Sequence, residues 1–404
     1  MKTISGGVCA AKGFTASGVH CGVRKNRTKK DLALIFSSVP AAAAAVYTTN
    51  LVKGAPLTVT KSHIADGIAQ AVICNSGNAN TCNANGIEIA EGMSALAARS
   101  LGIRAEDVIV ASTGVIGQPL NLEPIADGIP PLTKALSADG SEDACEAIMT
   151  TDTKKKEVAV EFTLGGKICH LGGIAKGSGM IHPNMATTLT FLTTDCKISP
   201  AMLQQALSDV VRVTLNRVSV DGDQSTNDMA CILANGMADN AEIKDEGKDY
   251  AAFRGALYAV MLNLARMCAA DGEGATKLIE CVVSDAPSEE VAETVAKSVI
   301  CSSLFKAAMF GADANWGRIA CAMGYADCDF DITKVNVDLA SSQGRITVAK
   351  NGFGVPFSEE QAKKILLEDE INVLISLNSG DYSAVAWGCD LTYDYVKING
   401  DYRS

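Results

Sequence analysis

His20, His63, His170 and His182 are the only histidines among 404 residues, and no two stand at the H-x-x-x-H or H-E-x-x-H spacing of a helical zinc site. The fourteen cysteines occur singly, without a C-x-x-C pair. Neither a zinc centre nor a disulfide framework is expected, and thiols scattered in this way read as small apolar fillers in a reducing compartment. Cys74, beside "NSGNAN", is the one thiol near a polar loop, and there too a filler role is the simpler reading. No stretch reaches the roughly 18–20 apolar residues that a membrane span needs, and "VPAAAAAVY" is short and mostly alanine. The first residues, "MKTISGGVCAAKGFTASG", lack a basic cluster followed by an apolar run, so neither a secretory signal nor a transit peptide is expected and the cytoplasm is the default compartment. Basic stripes interleaved with aromatics are missing as well. With 46 acidic against 35 basic residues and a net charge of −11, nucleic acid and anionic membranes are poor partners.

What remains is a chain with 48% hydrophobic residues, long enough for two domains or three. Short apolar runs at 31–37, 70–74 and 107–113 read as strands, and "GIEIAEGMSALAARSLG" (86–102) as an amphipathic helix. Long helices are expected at 199–218, after a serine cap and a proline at the first helical position, and at 249–271. A capping box, Ser358-x-x-Gln361, announces a helix at 359–368. The tail "YDYVKING" is strand-like, and "SDAPSEE" marks a weak boundary near 285–290. These elements predict a mixed α/β protein with a larger unit over 1–285 and a smaller C-terminal unit over 286–404.

Three stretches invite chemistry. "GGIAKGSGM" (172–180) has the glycines and lysine of a phosphate loop in the wrong order, because Lys176 precedes Gly177 and Pro183 follows. "VDGDQSTND" (220–228) is rich in carboxylates and amides, yet the calcium-loop frame fails, and no metal is expected. The third stretch, "GMIHPNMATTLTFLTTD" (179–195), joins a bent loop to a threonine-rich run at Ala186 and Thr187. A threonine hydroxyl is a weak nucleophile unless a base stands beside it, and a free α-amino group on the same residue is such a base. An internal threonine acquires one when the preceding peptide bond is cut. A β-branched strand following a loop would give the same letters, so spacing alone leaves both readings open.

The words around this junction resemble the ornithine acetyltransferases, also called arginine-biosynthesis bifunctional proteins or glutamate N-acetyltransferases. "KGSGMIHPNMAT" is similar to the family's processing site, and "VPAAAAAVYTTN", "NSGNAN", "ASTGVIG", "AIMTTDT", "VDGDQSTND", "AADGEGATK", "GADANWGRI" and "YVKINGDYRS" follow in the family's order over nearly the full length. The resemblance implies a two-domain layered α/β fold, of the kind shared with N-terminal-threonine aminopeptidases. It also implies self-cleavage between Ala186 and Thr187 into an α chain (1–186) and a β chain (187–404), assembled as α2β2. Thr187 is then the nucleophile, and Thr113 and Gly114 form the oxyanion hole. Thr150, Lys176, Thr187, Glu273, Asn399 and Ser404 contact substrate.

The implied reaction moves the acetyl group of N2-acetyl-L-ornithine to L-glutamate, within arginine biosynthesis. No cofactor is implied, acetyl-coenzyme A being an open alternative as a second acetyl donor. The residues agree with this in different degrees. Thr113 and Gly114 follow an apolar strand, where an ordinary turn would look alike. Glu273 lies between two glycines and suits an ammonium group, and Lys176 suits a carboxylate. Trp316 reads as a packing anchor at a turn. Two positions depart from the family: His182 stands where a small residue such as alanine is usual, and Ser404 replaces a terminal threonine. The rival readings are an N-terminal-threonine aminopeptidase or amidase, with water as acceptor, and an uncleaved small-molecule binding protein.

Overall fold

The strand Leu32–Tyr47 organises the first of two sheets and is sixteen residues long. Its first half pairs antiparallel with Phe14–Val19 and with Ile68–Asn78, and its second half pairs antiparallel with Met229–Ala234. Between the halves, around Ser37–Pro40, the register with Ile68–Asn78 breaks. Proline has no N–H to give to a ladder, so a bend is tolerated there. Ala33 and Ile35 from one half and Ala43 and Ala45 from the other line the same buried cluster, together with Cys74, Ile109, Ile174, Phe191 and Cys231. The strand therefore folds over, and the sheet becomes two layers facing one another. The five alanines of 41–45 let these layers approach, since each face carries a single methyl per residue. This computed structural model describes residues 1–182 and 188–400.

From edge to edge the first sheet runs Lys2–Ile4, Lys156–Leu164, Lys167–Lys176, Leu189–Thr194, Met229–Ala234, Leu32–Tyr47, Ile68–Asn78 and Val108–Val115, with Phe14–Val19 as a branch on Leu32–Tyr47. Helices cover both outer faces. Pro200–Val213 and Lys248–Ala270 pack on one, the latter burying Phe253, Leu257, Val260 and Leu264 at helical spacing. Gly86–Leu101 and Leu122–Lys134 cover the other, with Ile89, Met93, Ile125 and Leu132 in contact with Val108 and Val110. The second sheet has seven strands in the order Phe353–Gly354, Gly344–Lys350, Asn336–Ser341, Glu370–Ser376, Leu278–Ala286, Tyr382–Cys389 and Val218–Ser219. The helices Glu289–Cys301, Ser303–Phe310, Trp316–Gly324 and Glu359–Leu366 share its core. Position 285 falls at the end of a central strand of this sheet, and Val218–Ser219 reaches it from much earlier in the chain.

The layered α/β architecture is as expected, and the runs at 31–37, 70–74 and 107–113 lie in strands of the first sheet. The helix at 86–102 is Gly86–Leu101, closed by Gly102 at φ 71°. Ser199 Oγ accepts from Met202 N at 3.4 Å and starts Pro200–Val213, which ends earlier than 218 and gives way to a 3-10 turn at Leu215–Arg217. Ser358 caps Glu359–Leu366, but the Gln361 side chain donates to Gln343 O at 2.8 Å, so the box is not reciprocal. Trp316 is the first residue of a helix, its indole lying over Gly354, where an added Cβ would stand 2.5 Å from the ring. Cys74 is buried, and burial pushes its thiol well up, as a filler requires.

The tail corrects one expectation: Tyr393–Gly400 is a helix. Its alternating letters imitate a strand, yet Tyr395 and Asn399 stand four apart, and the Asn399 amide donates to Tyr395 O at 3.0 Å. One helical face is what the turn at 273–274 meets.

Candidate active site

Three loops at one end of the first sheet are tied to a single buried ammonium. Lys156 opens the strand Lys156–Leu164 and is 0% exposed, although Lys154 and Lys155 beside it reach solvent. Its Nζ donates to Asp152 Oδ1 at 2.7 Å, Asp271 Oδ2 at 2.6 Å and Lys154 O at 3.3 Å. Asp152 in turn accepts from Gly177 N at 2.7 Å and Thr150 N at 2.9 Å, and Asp271 accepts from the Thr153 hydroxyl and from Lys154 N at 3.2 Å. Ser178 Oγ donates to Asp271 O at 2.7 Å, and Glu273 N donates to Ser178 O at 3.0 Å. Segments 150–156, 176–180 and 271–274 are thereby fixed to each other. They carry Thr150, Lys176 and Glu273.

Burial opposes the charge of Asp152, but Lys156 and then Lys176 outweigh it and hold the carboxyl well below its usual range. Burial likewise opposes the Lys156 charge, and Asp152, with Asp271, holds that ammonium above its ordinary value.

Glu273, 7% exposed, meets the tail. Asn399 Nδ2 donates to Glu273 Oε2 at 2.6 Å, and the Thr392 hydroxyl donates to Gly274 O at 2.7 Å. Gly274 has φ +70° and passes so close to the helix Tyr393–Gly400 that a Cβ would stand 2.7 Å from Tyr395 N. On the opposite side Gly179 leaves room for the Glu273 carboxylate, which a Cβ there would approach to 2.3 Å. Glycines at 179 and 274 thus let two backbones close on one acid.

Thr113 and Gly114 end the strand Val108–Val115, which is parallel to Ile68–Asn78. Gly114 takes φ +134°, and a Cβ would collide with the Gly77 carbonyl carbon at 2.3 Å, so the "NSGNAN" segment lies directly against it. Asn227 Nδ2 fastens this end to the second layer by donating to Ala79 O at 2.6 Å and Ser112 O at 2.9 Å, while its Oδ1 accepts from the Thr81 hydroxyl at 2.7 Å. Next along, Asp228 is 3% exposed, and its Oδ2 has no partner among the described residues. Burial holds its carboxyl well above the usual range, against the weaker opposing pull of Lys176 and Ser225.

Registers Lys176↔Leu189, Leu189↔Met229 and Met229↔Tyr47 run as one row across four strands, and Met229 N donates to Thr188 O at 3.0 Å. The row brings Lys176 and Asp228 to Thr188, the chain neighbour of Thr187. Ala186, Thr187 and Ser404 lie outside the described residues.

Thr150, Lys176, Glu273 and Asn399 form one connected group, and Thr113 and Gly114 join it through the 225–229 segment. His182 faces another wall, its Nδ1 3.1 Å from Ser219 Oγ and 3.4 Å from Cys301 Sγ. Burial and then Lys297 depress its basicity. It borders a cavity of about 770 Å³ whose other walls include Arg212, Glu289 and Lys297, apart from the group above. Sequence reading passed over Lys156, Asp152, Asp271, Asn227 and Asp228. "AIMTTDT", "AADGEGATK" and "VDGDQSTND" contain most of them, but a lysine inside "KKK" reads as solvated surface.

Removing Lys156 strands two buried carboxylates. Lys156→Ala should cost about 3–5 kcal/mol at pH 7. The depressed Asp152 contributes stability above its unfolded pKa of about 3.9, lost as pH falls through the folded value. The raised Lys156 contributes below its unfolded pKa of about 10.4, lost as pH rises through the folded value. Urea unfolding across pH should therefore show the largest gap between wild type and variant from about pH 4 to 10, narrowing below it. A gap independent of pH would remove the ion pairs as its cause.

Residues 15–404 match the ArgJ family. The arginine biosynthesis bifunctional protein ArgJ of Caldanaerobacter subterraneus subsp. tengcongensis is 49% identical over 405 residues, covering all of both chains. Its namesake from Symbiobacterium thermophilum is 49% identical over 406 residues, again over the whole of both. Among solved structures, the arginine biosynthesis bifunctional protein argJ of Bacillus halodurans is 43% identical with a TM-score of 0.50, covering 53% of this chain and 98% of that one. A match over nearly the whole sequence, together with full-length relatives at this identity, makes the chain a member of the ArgJ family.

Proposed function

We propose that this protein is a self-processing glutamate N-acetyltransferase of arginine biosynthesis, cut between Ala186 and Thr187 and working as an α2β2 assembly in the cytoplasm. The observation that carries the reading is the gathering of Thr150, Lys176, Glu273 and Asn399 at one sheet end, beside the strand that Thr188 enters, with Thr113 and Gly114 tied to that end through Asn227. The free α-amino group of Thr187 takes the proton of its own hydroxyl, and Oγ attacks the acetyl carbon of N2-acetyl-L-ornithine. The Thr113 hydroxyl and the Gly114 N–H stabilise the oxyanion. The C–N bond then breaks, the proton passes to the departing ornithine amine, and an acetyl ester remains on Thr187. L-glutamate reverses these steps with its own amine and leaves as N-acetyl-L-glutamate. Glu273, held by Asn399, faces the ammonium end of a substrate and Lys176 a carboxylate; Thr150 and Ser404 complete the contacts. Acetyl-coenzyme A as a further donor fits the same ester chemistry.

Intact-mass measurement should find wild type as fragments of about 19 and 23 kDa, in proportion to 42.0 kDa over 404 residues. Thr187→Ala should stay whole and Thr187→Ser should still cut. A whole, active wild type would overturn the processing step.

In cleaved enzyme, Thr113→Ala should lower kcat by roughly 10²–10³ with a smaller change in KM, because the charge it meets develops in the transition state. Unchanged kcat would remove Thr113 from the oxyanion hole.

Double-reciprocal plots at several glutamate concentrations should be parallel, and acetylornithine alone should add about 42 Da to the β chain. Intersecting lines without a labelled chain would mean direct transfer.

A further inference from the structure

Cys169 and Cys196 face each other where an antiparallel ladder has just ended. The registers from Lys176↔Leu189 to Leu171↔Thr194 extend by two residues to this pair, and Asp195 N still donates to His170 O at 3.3 Å. Both Sγ atoms and an Asp195 carboxylate oxygen lie within 4.8 Å of one another, and the Cys169 thiol donates to Lys167 O at 3.8 Å. Opposite residues flanking a hydrogen-bonded pair stand about 4.5 Å apart at Cα, at the near edge of the range that a disulfide spans. Both side chains are buried in the cluster that includes Phe253 and Leu264. The surface is nevertheless close, since Lys167, Ile168 and Lys197 are exposed and the hairpin turns through Gly165 and Gly166.

A metal fits this group less well than oxidation does. Asp195 Oδ1 already accepts from His170 N at 2.7 Å, and Oδ2 accepts from Lys12 N at 3.2 Å and lies 2.7 Å from His170 Nδ1. Both carboxylate oxygens are engaged, leaving two sulfurs as ligands.

We propose that Cys169 and Cys196 form a modification site, an oxidisable dithiol that closes to a disulfide bridging the segments on either side of position 186. Opening of the hairpin tip exposes Cys169, whose thiolate attacks a small disulfide such as oxidised glutathione. One glutathione leaves as a thiol, and a mixed disulfide forms. Cys196 then attacks the Cys169 sulfur and expels the second glutathione. Two cysteine S–H bonds and one glutathione S–S bond are lost, one protein S–S bond and two glutathione thiols are gained, and the two electrons pass to glutathione. Burial pushes the Cys196 thiol up while the neighbouring Cys196 brings that of Cys169 down, and Cys169 lies next to the exposed Ile168 at the hairpin tip, so Cys169 attacks first.

The test treats purified full chain with oxidised glutathione, alkylates free thiols before denaturation, and maps the digest. A peptide linking Cys169 to Cys196 is expected, absent from Cys169→Ser and Cys196→Ser. On a non-reducing gel the oxidised, cleaved wild type should run as one species near 42 kDa that dithiothreitol separates into two. The peptide map reads the linkage whether or not the chain is cut, so failure of processing leaves it interpretable. The proposal is overturned if the exposed Cys82 and Cys321 react fully while no Cys169–Cys196 link forms, or if the cross-link survives in Cys196→Ser. It is equally overturned if added zinc binds stoichiometrically and protects both thiols in wild type, the signature of a metal site.

Discussion

The Lys156 ammonium between Asp152 and Asp271 is the constraint on which the candidate site rests. An unpaired charge at that depth would be ruinous, so each of the three groups requires the other two. The two carboxylates also accept from backbone N–H groups of Thr150, Thr153, Lys154 and Gly177 and from the Thr153 hydroxyl, and the ammonium donates to Lys154 O. Loops that would otherwise be mobile acquire the rigidity of the sheet beneath them. Geometry at Lys176 and Glu273 is consequently inherited from electrostatics one layer below, where substrate never reaches.

A second pin, Asn227, does for the Thr113–Gly114 side what Lys156 does for the side of Lys176 and Glu273. Its amide satisfies carbonyls at the ends of two neighbouring strands, and buried carbonyls of that kind need partners. Between the pins lies the row Lys176, Leu189, Met229, Tyr47, in which chain segments from four distant parts of the sequence are held in fixed register. The low dielectric there explains why Asp228 resists ionisation while Asp152, with a cation at 2.7 Å, does not. Two aspartates near one site are thus pushed in opposite directions by their surroundings.

The sequence made the α/β layering legible through local periodicity and caps, as at Gly86–Leu101 and Pro200–Val213. It concealed whatever depends on long-range packing. Nothing local in "DLALIFSSVPAAAAAVY" reveals that one strand serves two layers, although Pro40 and the alanine run are the residues that permit it. The strand-like letters of 393–400 misled because two tyrosines and a valine fit either period, and the turn at Gly274 decides between them. Thr113, Gly114, Thr150, Lys176, Glu273 and Asn399 were singled out through family motifs, whereas Lys156 and Asp228 carry no local signal of burial: each looks like an ordinary solvated charge until its neighbours from elsewhere in the chain are known.

The strand order has a further consequence if the peptide bond after Ala186 is cut as proposed. Leu189–Thr194 and Met229–Ala234 lie side by side, flanked by Lys167–Lys176 on one edge and Leu32–Tyr47 on the other. The two polypeptides would then be interleaved within a single sheet, the later one's pair of strands enclosed on both sides by strands of the earlier one. Pulling them apart means tearing open two ladders and the apolar layer between them, so dissociation and global unfolding become the same event. Such a pair behaves as one cooperative molecule with two extra termini: its halves will not exchange with those of a neighbouring copy, and dilution alone will not separate them.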